Sequence, residues 1–286
     1  MKKVIAALVF CVFMYACSSV PISGRSQLLL VSDQEVLTLS LQQYQEYMGS
    51  APVSKDKTNT ALVSKVGQNI AAAVALYYEA TSSVLSGYSW EFNLIADPQV
   101  NAFCMPGGKI VIYEGILPVT QTEAGLAVVV GHEVAHAVAK HANERMSNQM
   151  VAQYGTAAIG GLLSKGSSTV QTVGNTVFGL GTEFGIMLPF SRKQEYEADY
   201  LGLIFMSIAG YDPNQAVSFW ERMTQNGSAV APEFMSTHPS DANRIAELKK
   251  HLPEAMQYYN AVKGNTSTPS NTSTPSNTNT SNQWKF

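Results

Sequence analysis

Apolar positions along the chain recur with two different periods, and the switches between them mark out the elements. The run Leu28-Leu29-Leu30-Val31 closes a short tether, and Ser32 with Glu35 forms a capping box that predicts a helix through about Met48. The polar stretch from Ala51 to Asn59, holding Pro52, reads as a loop. Leu62, Val63, Val66, Ile70, Ala73, Val74 and Tyr77 then share one face of a second helix. From Ser89 the period changes to two: Trp90, Phe92, Leu94 and Ala96 lie on one side of a strand that Asp97-Pro98 ends. Two β-rich runs, 101–106 and 109–113, flank Gly107-Gly108 and predict a hairpin. The helical period returns at a second capping box, Thr120 with Glu123. Ala124, Leu126, Ala127, Val130, Val134, Ala135 and Val138 carry that helix past His141 to about Ser147.

Residues 147–190 are rich in Gly, Ala, Thr and Val, interrupted by Lys165 and Glu183, so neither half reads as a membrane span. Two small-residue helices over the preceding helix are expected, with a mobile or membrane-touching lid as the alternative. A helix opens at Ser191, and Asp212-Pro213 starts another running through Trp220 and Met223. A last helix is expected from Asp241 to Lys250, with His251 as a cation at its end.

The two ends of the chain have a different character. Residues 1–16 hold Lys2 and Lys3, a short apolar core and a small residue before Cys17, as in a signal peptide. Met14-Tyr15-Ala16-Cys17 resembles a bacterial lipobox with Cys17 as the acylated residue, which makes 17–27 a lipid-anchored tether. Ser18 resembles an outer-membrane sorting residue, so the expected location is the bacterial cell envelope, at the outer membrane facing the periplasm. Residues 263–286, a repeat of Asn, Thr, Ser and Pro, cannot offset their own ordering entropy and are expected to be a disordered tail. That leaves 28–262 as one domain.

Charge and cysteine content narrow the function classes. A net charge of −3, with 14% charged residues, supplies no basic stripe and excludes nucleic acid as the expected partner. Of the three cysteines, only Cys104 would remain free, and it reads as a buried small hydrophobe.

The candidate chemistry lies in the helix after the hairpin. His132 and His136 stand four residues apart and stack on one face, so both imidazoles reach one metal ion. Glu133 points about a quarter-turn away, close enough to hold an attacking water without ligating. The chain has only five histidines, so this pair around a glutamate is informative. On the helix opened by Ser191, Glu195 and Asp199 share a face. Glu195 supplies the third ligand of a site with one open position, and Asp199 accepts the spare N–H of a ligand histidine. Glu197 points elsewhere, and His141 reads as a solvated or capping histidine.

His132-Glu133-x-x-His136, Ser191-Arg192 with Glu195-x-x-Ala198-Asp199, Asn101-Ala102-Phe103 with Pro106-Gly107-Gly108, and Thr237-His238-Pro239-Ser240 with Arg244 resemble one metallopeptidase family. That family includes the HtpX membrane protease, the CAAX prenyl protease and the mitochondrial Oma-type protease. The resemblance covers about Ser26 to Leu252 and implies an α+β, mostly helical gluzincin (zincin-like) domain with a small antiparallel sheet beside the active-site helix. It implies one Zn²⁺ per chain on His132, His136 and Glu195, with Glu133 as general base. By the same resemblance His238 lies near the metal, stabilising an oxyanion or filling the open position, and Arg244 supports the site. Polypeptides are the expected substrates, in particular misfolded or unassembled envelope proteins. An extended substrate would pair with an edge strand around Gly108 and Ile110. The competing expectation is a zinc-stabilised chaperone that captures clients without cutting them.

Overall fold

The computed structural model describes residues 17–164, 167–178, 190–225, 232–238 and 243–266. The expected signal peptide, residues 165–166 and 179–189 of the expected lid and most of the expected tail lie outside the described residues. A hairpin comes first, β1 (Cys17–Ser19) antiparallel to β2 (Ser26–Leu28). Ser32 then caps α1 (Asp33–Ser50) as expected, its Oγ accepting from the Glu35 N–H. α2 (Lys57–Ala80) begins earlier than the loop expectation allowed, because Asp56 accepts from the N–H groups of Thr58 and Asn59.

The sheet orders β3 (Glu91–Ile95), β5 (Lys109–Tyr113), β4 (Ala102–Met105). β4 and β5 form the expected antiparallel hairpin, and Gly107 and Gly108 adopt φ +89° and +85°, which side chains avoid. β3, however, runs parallel to β5, so the sheet is mixed rather than antiparallel. β5 is therefore central, and its Ile110 is fully buried between two paired neighbours. The Gly108 carbonyl likewise accepts from the Glu91 N–H. Neither Gly108 nor Ile110 has a free backbone edge for a substrate, which corrects that expectation. The strand at the end of the sheet beside the histidine helix is β4.

After the short α3 (Leu117–Thr120), Gln121 turns the chain at φ +62°. The cap of α4 (Glu123–Val138) is Thr122, two residues later than expected, because Thr120 closes the preceding turn by donating to Leu117 O. α4 does not run on to Ser147. Ala139 ends it, Lys140 takes φ +56°, and α5 (His141–Ser164) starts in a new direction. α6 (Ser167–Phe178), α7 (Arg192–Ile208), α8 (Asn214–Gln225), α9 (Pro232–Thr237) and α10 (Arg244–Thr266) follow. α10 extends well past Lys250, with Pro253 inside it on an exposed face, and it places His251 in mid-helix, its ring against Tyr200 at 4.4 Å.

Every residue of α4 from Gly125 to Val138 is buried, as expected for a helix apolar all round. It packs against α2, α7 and α8 in the main core, where Val66, Ile70, Leu126, Val130, Leu203, Phe205 and Trp220 meet. Alternate strand residues separate two cores. Leu94, Cys104, Ile110 and Ile112 face the main core. Ile95, Phe103, Met105, Val111 and Tyr113 face a smaller one under α1. Val170 and Val173 of α6 join that smaller core, so this helix covers α1 and not the histidine helix. Among the described residues no helix is long and apolar enough to cross a membrane.

α4 and α7 cross where Gly131 meets Gly202. A Cβ on Gly202 would lie 2.8 Å from Gly131 C and His132 N, so only two glycines permit this approach. The crossing lies one residue from His132, and it sets the depth at which α7 presents its carboxylates.

Candidate metal centre

α4 places His132 and His136 one turn apart with ring centroids 4.6 Å from each other. α7 begins with a complete capping box between Ser191 and Gln194, which puts Glu195 in its first turn, aimed at the histidines. Glu195 Oε2 lies 3.4 Å from His132 Nε2, and Oε1 lies 3.4 Å from His136 Nε2. The two Nε2 atoms are 3.0 Å apart. A tetrahedral ion with bonds of 2.0–2.1 Å needs donor separations of about 3.3 Å, so the three side chains fit such an ion.

Unpartnered polar atoms support the fit. Both carboxylate oxygens of Glu133 are buried without a hydrogen-bond partner, a costly arrangement unless a cation or substrate takes them. His238, just after α9, completes a buried group of four possible ligands whose donor atoms lie within 4.8 Å of one another. Its Nδ1 is 3.2 Å from both His132 Nε2 and Glu195 Oε1, and its Nε2 is 3.4 Å from Glu133 Oε1. The structure thus brings together the expected His132, Glu133, His136, Glu195 and His238.

Asp199 and Arg244 sit where expected. Asp199 Oδ1 is 3.0 Å from His132 Nδ1. Arg244 binds Asp199 through Nε and Nη2, the latter at 2.8 Å, and its Nη1 lies 3.0 Å from Glu195 Oε2 in an ion pair without hydrogen-bond alignment. Its guanidinium carbon stands 3.5 Å over the Trp220 ring. Burial opposes charge on His132, yet Asp199 and Glu195 outweigh it and raise its pKa to about 9. Burial alone would raise the Asp199 and Glu195 carboxyls. Their neighbours, His238 and Arg244 for Glu195 and Arg244 for Asp199, hold both below the usual range. Burial pushes His136 well below its usual value.

Three neighbours of the site were not legible. His141 is fully buried rather than solvated, its Nδ1 2.9 Å from His136 Nδ1. Glu197 does not point away. Its Oε2 lies 2.8 Å from His141 Nε2. In one continuous helix His141 would rotate off the metal side, and no Gly or Pro marks the break at Lys140 that brings it back. Phe190 stacks on the His136 ring with centroids 3.9 Å apart. Cys104 is buried as expected. Between α1, the β4–β5 turn and the end of α4 lies a cavity of about 330 Å³ lined in part by Leu37, Tyr88, Cys104, His136 and Ala137.

Comparison with known proteins agrees with this architecture. The family model described as Peptidase family M48 matches residues 59–252. The chain is 39% identical over 243 residues to the mitochondrial metalloendopeptidase OMA1 of Schizosaccharomyces pombe, covering 82% of this chain and 66% of that protein. With its namesake in Saccharomyces cerevisiae the identity is 33% over 250 residues, covering 84% and 70%. With the Beta-barrel assembly-enhancing protease of Escherichia coli it is 26% over 242 residues, covering 83% and 48%. The chain therefore spans just under two thirds of the fission-yeast relative and about half of the Escherichia coli one. The expected zinc cofactor stands with this family and with the donor set.

These relatives overturn the expected location. The two yeast proteins, more similar to this chain than the bacterial one, are mitochondrial, so an outer-membrane place in a bacterial envelope does not stand. Nor do they support a membrane lipid on Cys17, which here opens β1 opposite Leu28. The crossed helices, the convergent donors and the length of the matches lead to one conclusion: the chain belongs to peptidase family M48.

Proposed function

We propose that this chain is the catalytic unit of a zinc endopeptidase acting on polypeptides, including misfolded or unassembled ones. His132, His136 and Glu195 hold the ion, and Glu133 is the general base. The observation that carries this reading is the convergence of three donors beside a buried Glu133 carboxylate whose oxygens lack a hydrogen-bond partner. When bound, zinc supplies a Lewis acid for the scissile carbonyl. Glu133 takes a proton from the attacking water and returns it to the leaving amine nitrogen. Asp199 accepts from His132 Nδ1–H, which leaves the Nε2 lone pair for the ion, and Arg244 holds Asp199 in place. An extended substrate pairs with β4, the strand beside α4, and the cavity walled by His136 and Cys104 receives a side chain.

The test compares casein cleavage and bound metal in wild type and Glu133→Gln. One zinc per chain is expected in both, with activity reduced about 10²–10⁴-fold in the variant. Equal cleavage by both would end the proposal. No cleavage by either, with zinc bound, would favour the non-cutting chaperone or a latent enzyme. One observation favours latency: His238 Nδ1 sits 3.2 Å from two ligand atoms, where a fourth ligand would stand. His238→Ala separates the two, since it raises cleavage only in a latent protease.

A further inference from the structure

The turn between β1 and β2 is tied to the metal centre, although it lies more than a hundred residues from any ligand in sequence. Arg25 donates from Nη1 and Nη2 to the two oxygens of Glu144, at 2.7 and 2.8 Å, and from Nε to Glu197 Oε2 at 2.7 Å. The Ser23 hydroxyl donates to Glu197 Oε1. Gln194, in the first turn of α7, donates to Glu144 Oε2 at 2.7 Å. One guanidinium thus clamps α5 to α7 immediately behind the ligands.

The clamp ends on a chain of defined polarity. The Glu197 carboxylate only accepts, so His141 Nε2 must be the donor across their 2.8 Å contact. In a neutral imidazole the other nitrogen, Nδ1, is then the acceptor. His136 Nδ1 must donate across the 2.9 Å contact to it. That tautomer leaves a lone pair on His136 Nε2, the atom facing His132 Nε2 and Glu195 Oε1. Reversing any link would put a proton where the ion must bind.

We infer that Arg25 is a positioning residue for the metal centre, acting through Glu197 and His141 to fix the tautomer and ring orientation of His136. The inference rests on the reading of His136 as a ligand. It assigns the β1–β2 turn a second role, as a strap whose displacement loosens zinc.

The test follows zinc transfer from the full chain to a fluorescent chelator, with the visible spectrum of the cobalt-substituted protein and the melting temperature of the metal-free protein. Arg25→Ala and His141→Phe are expected to weaken zinc retention about 10–100-fold and to shift the cobalt spectrum, with Arg25→Lys intermediate because lysine cannot bridge both carboxylates. A purely structural clamp would lower the metal-free melting temperature and leave the cobalt spectrum unchanged, which would overturn the inference. Wild-type zinc retention in Arg25→Ala or His141→Phe would also overturn it. If Arg25→Ala fails to fold, His141→Phe decides, since it breaks the chain without leaving a carboxylate uncompensated by Arg25. His136→Ala separates this from the ligand reading. Wild-type zinc binding by that variant sinks the ligand assignment, whereas its loss of zinc with Arg25→Ala and His141→Phe unchanged sinks only the present inference.

Discussion

His132 and His136 sit one turn apart on the same helix, yet their outer nitrogens are held in different ways. His132 meets a carboxylate directly, and that carboxylate is gripped by Arg244, itself fully buried and stacked on Trp220 in the main core. His136 meets another histidine, then a carboxylate, then Arg25, whose side chain is 24% exposed on the N-terminal hairpin. One flank is sealed inside the helical core. The other depends on a short segment near the surface. The rigidity of a metal site need not be symmetric, even when its ligands come from adjacent turns.

The comparison is tested most severely by removing the two arginines in parallel. Arg244→Ala leaves Asp199 charged in the core with only His132 beside it, and a loss of roughly 3–5 kcal/mol is expected in denaturant unfolding. Arg25→Ala removes charged hydrogen bonds nearer water and should cost roughly 1–3 kcal/mol. Equal losses would mean that the two flanks are not different after all.

Gly202→Ala should act on both flanks together, by pushing α4 and α7 apart at their crossing. A cost of about 1–3 kcal/mol with weaker zinc binding is expected, since the new Cβ meets backbone rather than a movable side chain. Unchanged stability would show that the crossing has slack.

The smallest expected effect sharpens the contrast through pH. In the metal-free protein the pKa of His132 is raised from 6.5 to about 9, so its contribution to stability is full below 6.5 and disappears as pH rises through 9. His136 and His141 are shifted downward, so their contribution is present above 6.5 and declines as pH falls below it. The melting temperature of metal-free protein should therefore fall by a few degrees towards pH 9. The zinc-loaded protein, whose cation replaces the proton, should not follow it. Parallel curves would argue against Asp199 and Glu195 as the source of the His132 shift.

Much of this was legible before any coordinates. The i, i+4 histidines, the capped start of α7 and the spacing of Glu195 and Asp199 are local patterns, and local geometry carried them into the structure unchanged. Local reasoning failed where a distant contact outweighed it. Thr120 looked like a cap, but a left-handed Gln121 moved the helix start to Thr122. Lys140 carries no breaker signal. Its left-handed turn goes with an ion pair to Asp33 at 2.6 Å, and it is what returns His141 to the site. The sheet was expected to be antiparallel throughout because strand direction is not written in a period-two pattern.

By itself the sequence determined the chemistry on offer: which ligand side chains share a helix face, and where α7 begins. Only the tertiary structure decided how those faces meet. The Gly131–Gly202 crossing sets their distance, β5 rather than an edge strand carries Ile110, and the hairpin at Arg25 reaches His136 through two intermediaries. The physical reason is range. Backbone periodicity fixes neighbours three and four residues apart, whereas packing and buried charge pairing are settled between segments that no short window contains.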